Sequence, residues 1–409
     1  MILILVALSL VIDFYILRRY LWRPKWRKVG LGYAIWAVLL NVSVIALIIV
    51  YKYAITSPSF MHFVVWLIFV FMISFISRVI FSLFSLFGLA LHAVWREREF
   101  RFFTYMGGAG ALAVIGAMSY GAVIGRTELR VENVAIYSPR LPAAFEGMRI
   151  AQFSDVHLGN WGDNHSVIER MVDKINELNP DIVVQSGDLV NVVDEELTPQ
   201  IGAILSGIQA PVYAVLGNHD LGFYVYDTIS HNPERIVREL IRKQRAMGWT
   251  VLCNENRWIH HRGDSIMIAG VSYPNNISHN GYQSSAGGSD LRRAMQTLGG
   301  DQFSILISHS PQLFDSVPAL AHPDLTLCGH VHAMQAKFQI GKWRFSPASL
   351  LYPMYSGLYV DRGHYLYVND GIGFVLYPMR IGAKPEITIF TLHCSDPMKG
   401  GGGEKVKTN

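Results

Sequence analysis

Cysteine is scarce in this 409-residue chain, which has only Cys253, Cys328 and Cys394. The number is odd and the spacings are wide, which fits neither a disulfide framework nor the paired cysteines of a structural zinc ribbon. Free cysteine is usually a small, buried, apolar residue. We therefore expect these three residues to serve packing, and we propose no cysteine chemistry.

The chain also lacks the stripe of lysine and arginine that would suit nucleic acid. Its net charge of +4 comes from the first 125 residues, which carry eleven basic and three acidic side chains, against 24 and 28 in the remainder. A nucleic-acid-binding domain is expected to concentrate basic residues on one face. Because the larger part of the chain is slightly acidic, we expect no nucleic-acid binding.

Charge is rare within the apolar stretches of the first 125 residues, where Asp13 and Arg78 are the exceptions. A membrane-spanning helix needs roughly 18 to 20 apolar residues. We predict an all-α transmembrane domain over residues 1–125, with about four helices at 1–17, 30–51, 58–92 and 102–125. The first segment has neither the basic start nor the small-residue cleavage site of a signal peptide, which favours a retained span.

The third apolar segment is ambiguous, because residues 79–95 are also uncharged. Two passes would need a turn near FISRVIFS, which has no Gly or Pro, so one long helix is favoured. Basic residues are concentrated after the first and third segments, whereas only Lys52 follows the second. The positive-inside rule makes those two loops cytoplasmic. Four spans then predict a multi-pass cell membrane protein with an extracytoplasmic C-terminal domain, and a fifth span would reverse this orientation.

From residue 126 onward the composition becomes that of a soluble domain. We predict a linker or entry strand at 126–147, one large domain at 148–394 and a flexible tail at 395–409. Residues 167–178 place apolar side chains at helical spacing, between two apolar runs of the kind that form buried strands. This pattern predicts a β-α-β unit at the start of the domain.

Five apolar runs of this domain end in polar residues of similar kinds. They are MRIAQFSDVH, PDIVVQSGD, PVYAVLGNHD, QFSILISHSP and PDLTLCGHVH. In an α/β sheet the side chains that follow the carboxyl ends of the strands meet at one edge. We therefore expect eight polar residues to converge: Asp155, His157, Asp188, Asn218, His219, His309, His330 and His332.

Imidazole, carboxylate and amide groups without thiolates suit divalent metals such as Mn, Fe or Zn. Eight groups are too many for one tetrahedral ion. Two ions a few ångströms apart could use them, with a shared carboxylate and an activated hydroxide as the nucleophile at phosphorus. The pattern therefore indicates a dinuclear site for hydrolysis of a phosphate ester.

The blocks DVH, GDLV, GNHD, SHSP and GHVH, in this order and spacing, resemble the calcineurin-like metallophosphoesterase superfamily. This resemblance covers essentially all of residues 148–392, and the closer resemblance is to the superfamily's membrane-anchored bacterial YaeI/YkuE-like group. It implies a two-sheet α-β-β-α sandwich. Where that group has GHxHGGQ, this chain has GHVHAMQ, so Ala333 and Met334 replace two glycines.

The resemblance also implies a role for each residue of the converging set. It assigns Asp155, His157 and His332 to one metal, Asn218, His309 and His330 to a second metal, and Asp188 to a bridge between them. His219 would be the catalytic histidine that is not a ligand and that protonates the leaving group or stabilises the phosphoryl oxygens. For Asp220 the sequence alone supports two interpretations equally, a support for the metal site and a turn residue.

The sequence therefore predicts a membrane-anchored, dinuclear-metal phosphoesterase acting on a phosphodiester, a phosphomonoester or a pyrophosphate, with a lipid-linked substrate as one candidate. The alternative is a membrane sensor or assembly protein that keeps the metal-binding domain without turnover. Residues 274–298 are polar and rich in Gly and Ser, either a cover for the site or a surface excursion. Residues 350–359 are aromatic and are either sheet core or a contact for lipid.

Overall fold

A computed structural model describes residues 2–54, 58–96, 100–225, 231–273, 289–296, 302–316, 323–341 and 343–394. The chain divides into two compact units. One comprises residues 1–124 with 376–379, and the other comprises residues 125–375 with 380–409. Most of the Gly- and Ser-rich segment at 274–298 and the whole predicted tail at 395–409 lie outside the described residues.

The first unit consists of four helices: α1 (Ile2–Ile16), α2 (Arg27–Ala54), α3 (Pro58–Val94) and α4 (Arg101–Tyr120). Three stretches are long and apolar enough to cross a membrane, by length and composition: Pro24–Leu47, Phe60–Val94 and Arg101–Gly125. The α-helical part of α1 has 15 residues, which rise about 22 Å and fall short of the roughly 30 Å hydrocarbon core. Four spans and the side of the C-terminal domain therefore stay predictions.

Asp13 and Arg78, the two charged residues within the apolar stretches, form an ion pair between α1 and α3. Both are buried, at 3% and 7% exposure. Tyr33 on α2 donates a hydrogen bond to Asp13 Oδ1 at 2.6 Å, and Arg78 Nη2 donates to Ser9 Oγ at 3.1 Å. A charge buried alone would be costly, so the pairing explains how this helical unit accommodates both residues.

The second unit is built from fourteen described strands and four described helices. The strands are β1 (Arg130–Tyr137), β2 (Arg149–Phe153), β3 (Ile182–Gln185), β4 (Val212–Ala214), β5 (Thr250–Val251), β6 (Glu255–His261), β7 (Asp264–Gly270), β8 (Ser304–Ile307), β9 (Leu325–Cys328), β10 (Phe338–Ile340), β11 (Trp343–Phe345), β12 (Gly357–Asp361), β13 (His364–Val368) and β14 (Glu386–His393). The helices are α5 (Ser166–Glu177), α6 (Pro199–Leu205), α7 (Pro233–Ala246) and α8 (Leu291–Ala294).

These strands form two six-stranded mixed sheets and one separate two-stranded ribbon. The sheet orders are β1-β14-β2-β3-β4-β5 and β12-β13-β9-β8-β7-β6, and the ribbon is β10-β11. Strands β2 to β5 run parallel, as do β7, β8, β9 and β13. The expected two-sheet sandwich is therefore confirmed. Strand β1 pairs with β14 over its full length, so residues 130–137 form an edge strand of the first sheet.

The main core lies between the two sheets. Ile150 and Val184 from the first sheet pack in one buried cluster with Ile268, Ile305 and Leu327 from the second. The helices follow simple local rules: α5 buries Val167, Ile168, Met171, Val172 and Ile175 on one face. Thr198 and Asn232 cap α6 and α7, each with Pro in the first turn.

Candidate metal centre

The eight polar residues expected to converge follow five strands that the structure brings side by side. Asp155 and His157 follow β2, Asp188 follows β3, and Asn218 with His219 follows β4. In the second sheet His309 follows β8, while His330 and His332 follow β9. Since both sheets present the carboxyl ends of these strands to the same place, side chains up to 177 positions apart become neighbours.

Five of these residues have left-handed backbone conformations, which side chains other than glycine seldom adopt. They are Asp155, His157, Asp188, His330 and His332, with φ between 48° and 75°. Ala333, Met334 and Gln335 continue the left-handed run, with φ of 48°, 45° and 57°. Such strain is found where the surrounding fold imposes it, typically at functional sites.

The glycines that precede the converging residues mostly allow neighbouring loops to approach closely. Only Gly187 has a positive φ, of 99°, and a Cβ there would overlap the ring of His309. A Cβ on Gly217 would overlap Asp188, and one on Gly329 would overlap Ser154 and Asp155. Glycine is therefore required for a sharp turn at one position, and for close approach of the loops at all three.

Asp155, His157 and His332 form the first group with metal-ligand spacing. The Nε2 atoms of His157 and His332 are 3.1 Å apart, and His332 Nε2 is also 3.1 Å from Asp155 Oδ1. Neighbouring ligands of one ion, bound at about 2.0–2.2 Å, lie roughly 3.0–3.5 Å apart. The three side chains thus have the separation that one divalent ion requires.

Asp188, His309 and His330 form the second group. His309 Nε2 lies 3.1 Å from Asp188 Oδ2, 3.1 Å from Asn218 Oδ1 and 3.2 Å from His330 Nδ1. Asp188 Oδ2 is also 3.8 Å from His157 Nε2 in the first group. One carboxylate oxygen therefore faces both groups, which is the position of a bridging ligand.

The charges within the site are those of metal ligands except at His309, where Asp188 and then Asp155 outweigh burial and raise the pKa to about 9, so this ring would release a proton on binding a metal. His309, next to Asp188, and His332, next to Asp155, outweigh the effect of burial and hold the pKa of both carboxyls well below the usual range. Burial and the neighbouring His309 lower the pKa of His330 to about 3. Burial, and then His219, keep the pKa of His157 well below its ordinary value. Ionised carboxylates and neutral imidazoles are the forms that bind metal.

His219 lies between the two groups but differs from their members in how it is held. Its ring is 4.6 Å from that of His157, and its ligand atom clusters with His157 and Asp188. Its Nδ1 donates a 2.6 Å hydrogen bond to the carbonyl of Asn191, which leaves Nε2 for chemistry. Burial lowers its pKa, so its protonated form readily gives up a proton.

Several supporting residues were not evident from the sequence. Tyr224 stacks on His219, with ring centroids 4.2 Å apart, and accepts a hydrogen bond from Asn218 Nδ2 at 2.8 Å. Tyr273 and Tyr352 flank His330, with centroids 5.6 and 6.3 Å away. The only signal for Tyr224 was its place six residues after Asn218, which by itself predicts nothing.

Asp220 ties two loops of the site together. Its carboxylate accepts hydrogen bonds from the backbone amides of Gly217, at 2.9 Å, and Val190, at 3.0 Å. Burial and the nearby Asp188 raise its pKa to about 8. Because its partners are backbone amides of two loops, Asp220 fits both interpretations made from the sequence, a turn residue and a support for the metal site.

The other histidines considered in the sequence do not join these groups. His165, His231, His260 and His261 are absent from the clusters of metal-ligand type in the described part of the chain. His260 and His261 are exposed on the edge strand β6. His279 lies outside the described residues.

Residues 148–334 match the family model described as calcineurin-like phosphoesterase. This chain contains a calcineurin-like metallophosphoesterase domain, and the resemblance inferred from its five blocks is confirmed. The domain makes the protein a phosphoester hydrolase, in which both groups of candidate metal ligands lie at the expected strand ends.

Named relatives extend this comparison. The chain is 29% identical over 293 residues to the metallophosphoesterase YkuE of Bacillus subtilis, covering 69% of this chain and 92% of YkuE. It is 31% identical over 278 residues to a bovine transmembrane protein with metallophosphoesterase domain, covering 65% and 57%. A 99-residue segment is 36% identical to the UDP-2,3-diacylglucosamine pyrophosphatase LpxG of Chlamydia trachomatis, covering 24% and 30%. The chain thus spans less than two thirds of the bovine relative.

Proposed function

We propose that this protein is a membrane-anchored phosphoesterase that uses two divalent metal ions to hydrolyse a phosphoester or pyrophosphate bond of a lipid-linked substrate. The observation that carries the proposal is the position of Asp188, one oxygen of which lies 3.1 Å from His309 and 3.8 Å from His157. A single carboxylate shared by two groups of ligands is the arrangement that a two-ion site requires.

In this proposal Asp155, His157 and His332 hold one ion, and Asn218, His309 and His330 hold the other, with Asp188 shared. The ligand separations of 3.1–3.2 Å support both groups. Nitrogen and oxygen donors without thiolates favour Mn, Fe or Zn. When bound, two such ions would neutralise phosphoryl charge and provide an activated water at neutral pH.

His219 would act as the proton donor to the leaving group. Its Nδ1–H donates to the carbonyl of Asn191, so Nε2 is the nitrogen that would take up a proton and pass it to the leaving group. Tyr224 fixes the plane of the ring by stacking. Burial lowers the pKa of this imidazole, which makes its protonated form a better acid toward the leaving group while a smaller fraction of the ring is protonated at neutral pH.

Two observations support a lipid-linked substrate: the apolar helices in the same chain and the name of one relative. Three helical stretches of the chain are long and apolar enough to cross a membrane, so the domain is expected to work near a bilayer surface. LpxG, to which one segment is 36% identical, is named for a pyrophosphatase reaction on a diacylated sugar nucleotide. A phosphorus centre carried by a lipid fits both observations.

The test of this function uses the purified full-length chain in detergent with Mn²⁺. We expect hydrolysis of bis(p-nitrophenyl) phosphate, and we expect Asp188→Asn to lose both turnover and retained metal, measured by elemental analysis after dialysis. Asp173→Asn on the exposed face of α5 is the matched control and keeps both. Unchanged turnover in Asp188→Asn would remove the bridging role.

Two further measurements separate the alternatives. A wild-type chain that retains two metals but hydrolyses no phosphomonoester, phosphodiester, pyrophosphate or extracted lipid would favour a sensor or assembly protein instead. Protease added to spheroplasts should digest residues 126–409, because the predicted orientation places them outside the cell membrane. Full protection would contradict that orientation without affecting the chemistry.

A further inference from the structure

The second unit exposes its large apolar side chains in one stretch of sequence. Among the described residues between 126 and 375, the exposed large hydrophobic side chains are Phe338, Trp343, Leu350, Leu351 and Val360, at 43%, 56%, 75%, 70% and 51% exposure. Scattered exposed apolar residues are normal on soluble surfaces, but a concentration of them marks a contact surface. We call the exposed Phe338, Trp343, Leu350 and Leu351, together with the half-buried Phe345 that stacks with both aromatic residues, the apolar strip; Val360, on the separate strand β12, is not included.

The ribbon β10-β11 presents the aromatic part of the apolar strip. Phe338 pairs with Phe345 across the ribbon, and their rings stack with centroids 6.5 Å apart. Trp343, two residues before Phe345 on the same strand face, stacks on it at 5.8 Å. Neither β10 nor β11 joins either large sheet. An isolated two-stranded ribbon is marginally stable in water. We therefore expect the exposed aromatic face of this ribbon to pack against another surface.

The charges around the apolar strip identify the kind of partner. Residues 338–360 include Lys342 and Arg344 and have no Asp or Glu, whereas residues 126–409 as a whole are slightly acidic. The preceding Lys337 is paired with Asp370, with 2.6 Å between Nζ and Oδ2, and does not contribute. Arg344 is exposed beside Trp343. Tryptophan with neighbouring Lys and Arg is the combination found at the interface of a bilayer, where basic side chains meet anionic headgroups.

The apolar strip also adjoins the metal centre. Leu351 precedes Tyr352, whose ring is 6.3 Å from that of His330. Ser346, between the ribbon and Leu350, donates a 2.7 Å hydrogen bond from Oγ to the carbonyl of Ala333, next to His332. Tyr352 itself packs into a buried cluster with Phe314 and Val331. Of residues 350–359, therefore, the three tyrosines and Leu358 pack against core clusters, whereas Leu350 and Leu351 are exposed.

We propose that the apolar strip inserts into the headgroup region of an anionic lipid bilayer and thereby holds the metal centre at the lipid surface. The occupant is a bilayer because the same chain has apolar helices, and only residues 126–129 separate the last of them from β1. The inference depends on the proposed membrane anchoring, but it does not depend on which phosphorus bond is cleaved. It goes beyond anchoring, since tethering alone needs no apolar surface on the domain.

The first test measures lipid contact directly in the full-length chain in nanodiscs of phosphatidylethanolamine and phosphatidylglycerol. Cys253 and Cys394 are replaced by Ser, and the fully buried Cys328 is kept. A fluorescent NBD label is placed at Trp343→Cys, at Leu350→Cys or, as the control, at Arg238→Cys on the exposed face of α7. With doxyl-labelled lipid, the labels at 343 and 350 lose most of their emission and the label at 238 does not.

The second test compares two substrates with the same leaving group. The triple variant Trp343→Ser/Leu350→Ser/Leu351→Ser is expected to hydrolyse soluble bis(p-nitrophenyl) phosphate like the wild type, since none of the three is in the metal centre. Its rate on phosphatidyl-p-nitrophenol in the same nanodiscs falls about tenfold, the change that a loss of 1.4 kcal/mol would produce. Arg238→Ser, the matched exposed change, retains both rates.

The outcomes separate this inference from the proposed function. Emission at 343 and 350 that is unaffected by doxyl lipid overturns the inference, even if both substrates are hydrolysed. Crosslinking between copies at these positions without lipid quenching assigns the apolar strip to a second copy and overturns it as well. If neither substrate is hydrolysed but both strip labels are quenched, the proposed function fails and the membrane contact stands.

Discussion

His157 and His332 direct their Nε2 atoms at each other across 3.1 Å, from loops 175 positions apart in the sequence. Both side chains are buried, and the pKa of His157 lies well below its ordinary value because of burial and then His219. His332 Nε2 is also 3.1 Å from Asp155 Oδ1, so three potential ligand atoms face one point. A cation bound beside Asp155 would be within reach of both nitrogens, so this pair marks a candidate metal site among the described residues.

Metal removal should therefore destabilise the domain. A ligand that binds only the folded state stabilises it by about 4 kcal/mol at a thousandfold excess over its dissociation constant. We expect dialysis against a chelator to lower the Tm of the full-length chain in detergent, and Mn²⁺ to restore it. His332→Ala should blunt the response to Mn²⁺, whereas Asp173→Asn should respond like the wild type. Equal Mn²⁺ responses in His332→Ala and the wild type would argue against the first ligand group.

Replacing His219 separates proton transfer from metal binding. In His219→Ala we expect both metals to remain, because the proposed ligands are untouched, and the rate to fall by about 10² or more. An alkyl phosphodiester, whose leaving group needs a proton, should lose more rate than a p-nitrophenyl ester. The measurement is kcat for both substrates together with metal content. Loss of a metal in this variant would show that His219 is a ligand.

Tyr224 orients Asn218, and its hydroxyl can be tested apart from its ring. Tyr224→Phe keeps the stacking on His219 but removes the acceptor for Asn218 Nδ2, 2.8 Å away. Outer hydrogen bonds of this kind typically contribute 10- to 100-fold to metal affinity. We expect Tyr224→Phe to lower the affinity for one of the two ions at least tenfold, measured as metal retained after dialysis. Tyr105→Phe, at a 74% exposed site, should have no effect. Unaltered affinity for both ions would show that Asn218 holds its orientation without Tyr224.

Ala333 occupies a left-handed conformation that a branched side chain tolerates poorly. Its φ is 48°, its side chain is fully buried, and its carbonyl accepts the hydrogen bond from Ser346. Left-handed backbone costs about 1–2 kcal/mol for an ordinary residue, and β-branching adds to that. Ala333→Val should lower the Tm clearly. Ala336→Val, at an extended position with φ of −139°, is the control and should be near neutral. Similar effects of both would show that strain at Ala333 is unimportant.

The buried pair Asp13–Arg78 should behave as a unit. Removing either partner leaves an unpaired buried charge, which costs about 3–5 kcal/mol, whereas removing both with apolar residues of similar size is far less harmful. We expect Asp13→Leu and Arg78→Met each to lower the yield and Tm of the protein in detergent. The double variant should recover much of the loss, which a double-mutant cycle measures. Additive losses would show that the two residues act independently.

Much of the site was predictable from the sequence, because the strand ends that carry it are local features. Asp155, Asp188 and His330 each come directly after an apolar run, and a parallel sheet has only one edge where such residues can meet. Tyr224, Asn191 and Arg380 were not predictable in this way. Their contacts depend on how loops fold back, and Arg380 lies 3.2 Å from His332 Nδ1 although 48 residues separate them.

The sequence by itself determined the family, the two-sheet class and the eight polar residues at the strand ends, since those follow from periodicity and from short blocks in a fixed order. Only the tertiary structure decided that Asp188 faces both ligand groups, that Asp13 and Arg78 neutralise each other, and that Leu350 and Leu351 stay outside the core while Tyr352 enters it. Periodicity fixes which way a side chain points from its own strand or helix. What it meets depends on distant segments, whose approach is set by packing of the whole domain.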